Sequence, residues 1–530
     1  MRVFPPGIRI GMSQPKTETG HARRLVSEQL AQLILVASGF FDRLVLTAIV
    51  LRFWGIATFE IWSAAIAITA LISLFELGFN IYFNNQMTME MERGDVDTYR
   101  RTLASGNTIF AATGVLALIL ALGFIWTSDP TGSGRQLDAM LAASALCIAA
   151  SARISLCAVY AMYRANREYA RFAFLSAFAE FLRVIGIVAS VVLGAGLLGA
   201  AIVSASITIA VTVVFVLVDT NRRFHPHKLV FGWPARHELR RMLSMSLLYL
   251  AQLIPVILWT SLPVLYLQNL GLASGMLAGF VLIRTLANIA RTPMQSLGTV
   301  FGQECGRCIA VGDLPGALRV LQNGARLFAV TSGLMSGLLL IGGAQITKVW
   351  TGSTALYDPA MMAAAIIPMA LVTATLLVHN VLMCAQAPAR PAAARWVQLL
   401  VSVVTYLLLP GLAPPLRMMV ALAAGEIAGY APVAYDAMAR LIPGSGIRFH
   451  VINVAAVLAS IGLGGGTMHL MLMLFGTADT VSIILALAVT GLLFALYILV
   501  FGIGRKERLL LLNQFILPTF RRFRFTGPPR

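Results

Sequence analysis

The sequence predicts an all-α polytopic membrane protein of about fourteen transmembrane helices. They are read as two parallel six-helix lobes followed by two extra C-terminal helices. Three observations lead there. Of 530 residues, 58% are hydrophobic and only 12% are charged, with mean hydropathy +0.82, whereas soluble domains carry about 25% charged residues. The apolar residues gather in runs that match the ~20 residues a helix needs to cross the hydrocarbon core. Basic residues collect on alternate connections between those runs, as the positive-inside rule requires.

The runs fall near 30–52, 59–83, 104–126, 139–162, 171–193 and 198–218, then near 243–267, 275–296, 320–346, 361–384, 394–413 and 417–438. Two more lie near 450–474 and 481–503. With the N-terminus cytoplasmic, 31 of the 40 basic residues lie on the inner side, and Arg135, Lys348 and Arg417 are the three outside. An error of one helix would scramble that alternation downstream, so both termini are expected in the cytoplasm. The net charge of +18 is therefore mainly a topology label rather than a sign of nucleic-acid binding. Residues 1–27 form a polar cytoplasmic segment ending at Arg23-Arg24 and do not read as a signal peptide. The first span is expected to act as an uncleaved anchor. The segments 28–220 and 243–440 are read as the lobes, 221–242 as a basic cytoplasmic linker, 450–503 as the extra spans and 504–530 as a basic cytoplasmic tail. Interleaved Phe and Arg in that tail suit anionic headgroups.

An internal repeat supports the two lobes. Gly94-Asp95 with Arg101 follows the second span, and Gly312-Asp313 with Arg319 follows the eighth. Trp126-Thr127 and Trp350-Thr351 close the third and ninth spans, and Gly55 and Gly271 follow the first and seventh. Six helices per repeat bring both lobes in from the same side, the parallel arrangement of two-lobed transporters.

Outer loops of at most about a dozen residues leave no room for an external catalytic domain, and no nucleotide-binding GxxxxGK[ST] loop or HExxH motif is present. No enzyme activity and no cofactor are expected. Five cysteines include a lone CxxC, Cys305 and Cys308, without the second ligand pair of a zinc site.

Charge inside the hydrocarbon is costly, so its default meaning is functional. Asp42 and Arg43 sit mid-way along the first span, pointing ~100° apart on a helix. Glu180 and Arg183, in the fifth, are spaced i,i+3 and can pair. Arg153 and Arg284 have no carboxylate nearby in sequence. Arg43, Arg153, Arg183 and Arg284 are the candidates for binding a phosphate-bearing cargo, since the guanidinium fork stays charged and meets phosphate oxygens bidentately. Asp42, Glu76, Glu180, His379 and Glu426 are candidates for ion or proton coupling. Pairing across helices is the structural alternative for each.

The stretches Phe75-Glu76-Leu77-Gly78-Phe79-Asn80, Glu92-Arg93-Gly94-Asp95, Tyr99-Arg100-Arg101 and Val349-Trp350-Thr351-Gly352 resemble polysaccharide repeat-unit flippases of the multidrug/oligosaccharidyl-lipid/polysaccharide exporter superfamily. The resemblance implies a cationic cavity between two lobes that opens alternately to either side. The implied cargo is an undecaprenyl-pyrophosphate-linked oligosaccharide, moved across the bacterial inner membrane. Relatives that move a peptidoglycan precursor carry an Asp/Arg neighbour pair in span one and an arginine in span eight, like Asp42-Arg43 and Arg284. The resemblance also implies work beside a polysaccharide polymerase and glycosyltransferases. Two readings compete: a cation- or proton-coupled multidrug antiporter of the same superfamily, and a membrane polysaccharide polymerase or ligase.

Overall fold

A computed structural model describes residues 31–475 apart from 32–33, 36, 77, 130–135, 167, 214–217, 225–229, 274, 311, 385–388 and 442–446, together with 485, 488–489 and 491–493. The N-terminal segment 1–27, most of the fourteenth span and the basic tail 504–530 lie outside the described residues.

The described chain is all-α. A π-helical turn, Asp42–Leu46, leads into α1 (Thr47–Ile72) and a 3-10 turn, Ser73–Glu76. Then come α2 (Phe79–Glu92), α3 (Val96–Ser128), α4 (Leu137–Ser155), α5 (Cys157–Ala165), α6 (Tyr169–Val192), α7 (Leu197–Ala210) and α8 (Val218–Arg223). After the linker follow α9 (Arg236–Asn269), α10 (Met276–Ala310), α11 (Leu314–Thr351), α12 (Pro359–Cys384), α13 (Ala389–Leu408), α14 (Pro414–Leu441) and α15 (Ile447–Phe475). Among the described residues, eight helical stretches are long and apolar enough to span a membrane on length and composition alone. Two shorter apolar helical stretches, Leu253–Asn269 and Pro359–Met369, accompany them.

Two expected spans are not continuous. Span two, read as 59–83, is interrupted by the Ser73–Glu76 turn and by Gly78 in left-handed conformation (φ 69°). Span four, read as 139–162, breaks at Leu156 between α4 and α5. Hydropathy averages over a window and does not register a two-residue change of backbone. Broken helices at membrane depth are tolerated only where the freed backbone faces protein or a watery cavity. Spans one and two are separated inside α1 by Gly55 (φ 78°, ψ −179°), a backbone that an L side chain rarely adopts.

The Gly-Asp pairs of the repeat form congruent turns. Gly94 and Gly312 both have positive φ (74° and 81°). The Asp95 amide donates to Glu90 O at 3.1 Å, and the Asp313 amide to Cys308 O at 2.9 Å. Each aspartate then accepts a hydrogen bond from the amide three residues on, Thr98 at 3.1 Å and Gly316 at 2.9 Å. A left-handed glycine ends one helix and an aspartate caps the next, so the same dipeptide does the same work twice.

Contacts divide the chain into two compact units. The larger comprises Met1–Thr292, Thr347–Pro368 and Gln386–Val433, and the smaller Pro293–Ile346, Met369–Ala385 and Ala434–Arg530. In the smaller unit, α11 and α15 cross with backbones nearly touching. A Cβ on Gly337 would fall 2.2 Å from Ile461 O, and one on Gly464 would fall 2.3 Å from Leu334 O. Without a hydrophobic drive between helices in lipid, such close approach supplies the packing energy.

Candidate functional site

The charged cleft of the larger unit is built from a proline. Pro255 and Pro263 both lie inside α9. Pro263 has no N–H to give to the carbonyl four residues back, that of Trp259, and its ring pushes that turn open. Arg284, on α10, takes up that acceptor and its neighbour: Nη2 donates to Trp259 O at 2.8 Å and Nη1 to Thr260 O at 2.7 Å. The guanidinium also lies over the Trp259 ring (5.1 Å) and that of Phe280 (5.9 Å), one turn back on its own helix. A cation is thereby fixed at membrane depth without consuming a carboxylate.

Two turns along the same face of α10 stands Arg291. It meets Glu426 of α14 bidentately, Nη1 to Oε1 at 2.7 Å and Nη2 to Oε2 at 2.8 Å, with side chains 14% and 9% exposed. Trp259, Arg284, Asn288, Arg291 and Glu426 line one small, half-open cleft, whose remaining walls are apolar. The indole N–H of Trp259 and the Nε–H of Arg291 are buried and have no acceptor among the described residues. Two guanidinium groups against one carboxylate leave the cleft at +1, with N–H donors to spare. Arg291 is not among the residues expected from sequence, although its i,i+7 spacing from Arg284 was visible. Glu426, expected as an ion-coupling candidate, is the partner of Arg291.

A second cluster has the opposite sign. Arg183 Nη2 donates to Asp42 Oδ1 at 2.6 Å and to Glu180 Oε1 at 2.5 Å, while Nε reaches Glu180 Oε2 at 3.2 Å. The i,i+3 pair expected from spacing thus gains a third member across helices, and the three groups sum to −1. Asp42 opens the π turn, whose extra residue rotates the side chains beside it. Arg43, its neighbour, is exposed.

Glu76 sits at the interruption between α1 and α2. Asn80 Nδ2 donates to its Oε2 at 3.3 Å, and Asn84 Nδ2 to Asn80 Oδ1 at 2.6 Å. Arg153, exposed near the end of α4, lies within electrostatic range of Glu76. The two helix breaks therefore meet at a carboxylate and an arginine. His379 is buried on α12 in the smaller unit. Cys305 and Cys308 are buried, and Cys305 Sγ lies 3.6 Å from Ala317 O. No group of three metal-ligating side chains occurs among the described residues.

On the side expected to face outward, segments far apart in sequence are joined within the larger unit. Glu60 Oε1 accepts hydrogen bonds from the amides of Gly275 and Ala278, both 3.1 Å, at the start of α10. Arg52 Nη2 donates to Val349 O at 2.8 Å in the last turn of α11, and Trp350 Nε1 donates to Leu44 O at 2.6 Å. An anion on a helix N-terminus and a cation on a C-terminus each complement the helix dipole. Val50, Leu51, Phe59, Ala278, Leu282 and Leu356 form the apolar cluster between them.

The fold is similar to that of solved membrane transporter structures. A structure of the lipid II flippase MurJ in an inward closed conformation matches with TM-score 0.63 over 89% of this chain and 98% of that one, at 12% identity. An inward-facing multidrug resistance MATE family transporter matches with TM-score 0.59 over 80% and 95%, at 11% identity. The Vibrio cholerae MATE transporter VcmN matches with TM-score 0.53 over 80% and 99%, at 15% identity. Comparison with protein-family models and with curated protein sequences finds no match.

Proposed function

We propose that this chain is a transporter, not an enzyme, that moves an undecaprenyl-pyrophosphate-linked oligosaccharide repeat unit across the bacterial inner membrane by alternating access. The observation that carries this reading is the cleft at +1. Arg284 is held by two backbone carbonyls, so its charge is left for a ligand. Pyrophosphate suits such a site, because charge-assisted hydrogen bonds to guanidinium are strong and directional. Arg153 and Arg43, both exposed, are assigned to the same cargo path. Arg183 is assigned to the Asp42–Glu180 cluster instead. One structure sharing the fold is that of a lipid II flippase, a lipid-linked cargo in keeping with this assignment. The expected lobes 28–220 and 243–440 are the moving bodies of this scheme, and the Glu60, Arg52 and Trp350 contacts are its outer closure. Both termini are cytoplasmic in it, and polymerase and glycosyltransferases are its working partners.

The second reading is a cation-coupled multidrug antiporter. It is favoured by one observation, the net −1 of Asp42, Glu180 and Arg183, and by the MATE transporters that share the fold. Purified protein in liposomes separates the two. A fluorescent lipid-linked pyrophosphoryl glycan should move between leaflets, and Arg284→Gln should reduce the rate at least tenfold. Ethidium efflux driven by a Na⁺ or proton gradient, with no glycan movement, overturns the flippase assignment.

A further inference from the structure

The linker between the two halves carries a feature that cargo transport does not use. Residues 230–235 carry no regular secondary structure and are docked on α3. Asn107 Nδ2 donates to Val230 O at 3.0 Å, and the Gly232 amide donates to Thr108 Oγ1 at 3.0 Å and to Ala104 O at 3.3 Å. Ala104–Thr108 open the third expected span, so these bonds set the strap at the height of the membrane boundary. Its backbone polar groups turn toward α3, and its large side chains are left outside: Phe231 is 60% and Trp233 78% exposed.

The start of α9 fixes the same height independently. Arg236, Arg240, Leu243 and Leu247 recur at i, i+4, i+7 and i+11, and all four are exposed. One helix stripe thus passes from basic to apolar within two to three turns, as at a headgroup-to-acyl boundary. The nearby carboxylates are already engaged: Asp219 by Arg171 and Tyr163, Glu168 by Arg223, and Glu238 by the Ala235 amide. Arg222, Arg236 and Arg240 take no ion pair among the described residues.

We propose that the strap 230–235 with the first turns of α9 is an anionic-lipid binding surface on the cytoplasmic leaflet. Phe231 and Trp233 enter the headgroup–acyl boundary, and Arg222, Arg236 and Arg240 meet headgroup phosphates. Interfacial tryptophan and unpaired basic residues together are what such a lipid surface selects. The proposal is independent of the cargo. Charge complementarity commits it to lipid rather than to a protein partner.

Full-length protein in nanodiscs tests it. The fluorescence difference between wild type and Trp233→Phe isolates the one indole. It should be quenched strongly by phosphatidylglycerol brominated near the headgroup and weakly by lipid brominated deep in the chain. Native mass spectrometry should show phosphatidylglycerol retained over phosphatidylcholine. The Arg222→Gln/Arg236→Gln/Arg240→Gln variant should lose that preference by roughly tenfold to a hundredfold, with melting of the folded protein checked in parallel. Quenching of the Trp233 difference by aqueous acrylamide and by no brominated lipid overturns the proposal. So does an unchanged lipid preference in the folded triple variant, or protection of Trp233 by a co-purified protein.

Discussion

Replacing Glu426 by Gln separates an anion cleft from a proton-coupling site, because the two readings give opposite signs. In the native cleft Glu426 answers Arg291 through two bonds of 2.7 and 2.8 Å. Gln keeps one carbonyl oxygen for Nη1 but sets an NH₂ where Nη2 needs an acceptor. One charge-assisted bond is lost, about 1.5–3 kcal/mol. The full cost of breaking a buried pair, about 3–5 kcal/mol, is an upper bound. Arg291 retains the Gln oxygen and a long contact to Ala365 O at 3.4 Å, so destabilisation of about 2 kcal/mol is expected. The cleft charge meanwhile rises from +1 to +2. One extra unit charge felt by an anion at about 8 Å and an effective dielectric of ~20 is worth ~2 kcal/mol, or roughly thirtyfold in affinity. A short-chain polyprenyl-pyrophosphate glycan titrated into nanodisc-embedded protein should therefore bind Glu426→Gln more tightly and leave it more slowly, while the variant melts earlier than wild type. Weaker or unchanged pyrophosphate binding in a folded Glu426→Gln protein refutes the anion cleft. Loss of a pH-dependent drug exchange in the same variant supports the antiporter instead.

Other expectations rest on separate contacts. Glu60→Gln weakens the cap on α10 by about 0.3–1 kcal/mol, so thiol labelling of a Leu356→Cys reporter from outside should rise roughly two- to fivefold, and an unchanged rate counts against an outer closure. Gly337→Val places a side chain where Cβ already lies 2.2 Å from Ile461 O, and overpacking should cost about 1–3 kcal/mol in thermal melting. Gly462→Ala, with nothing within 4 Å, should be neutral or mildly stabilising, and equal effects would contradict the crossing. Glu90, beyond the end of span two, is buried beneath Gln86 and Thr102, and burial raises its carboxyl above the ordinary range. A raised folded-state value means that folding favours the protonated form. Stability should therefore be greatest below the ordinary carboxylate range and fall as pH rises through the raised value, and Glu90→Gln should flatten that fall in denaturation measured across the range.

The membrane class was legible because hydropathy and the side preference of Arg and Lys act locally and repeat along the chain. The Gly-Asp turns were legible for the same reason, since each is complete within nine residues. The Glu180–Arg183 pair followed from helical spacing alone. Asp42 joining it did not, because 141 positions separate Asp42 from Arg183 and only packing of two helices brings them within reach.

The sequence by itself determined where charge occurs inside the membrane and that helix dominates, because the bilayer penalises every unsatisfied polar backbone group. Tertiary structure decided what each charge does. Arg284 looked unpartnered in sequence because its partners are carbonyls of another helix, one of them released by Pro263. Arg291 meets Glu426 of α14 only in the fold, 135 positions away in sequence. Breaks at Ser73–Gly78 and at Leu156 also waited on the fold, since they make sense only where neighbouring helices or water satisfy the backbone they free. Which side chains keep spare hydrogen-bonding capacity depends on distances of a few ångströms between distant segments, and no periodicity in the chain encodes those distances.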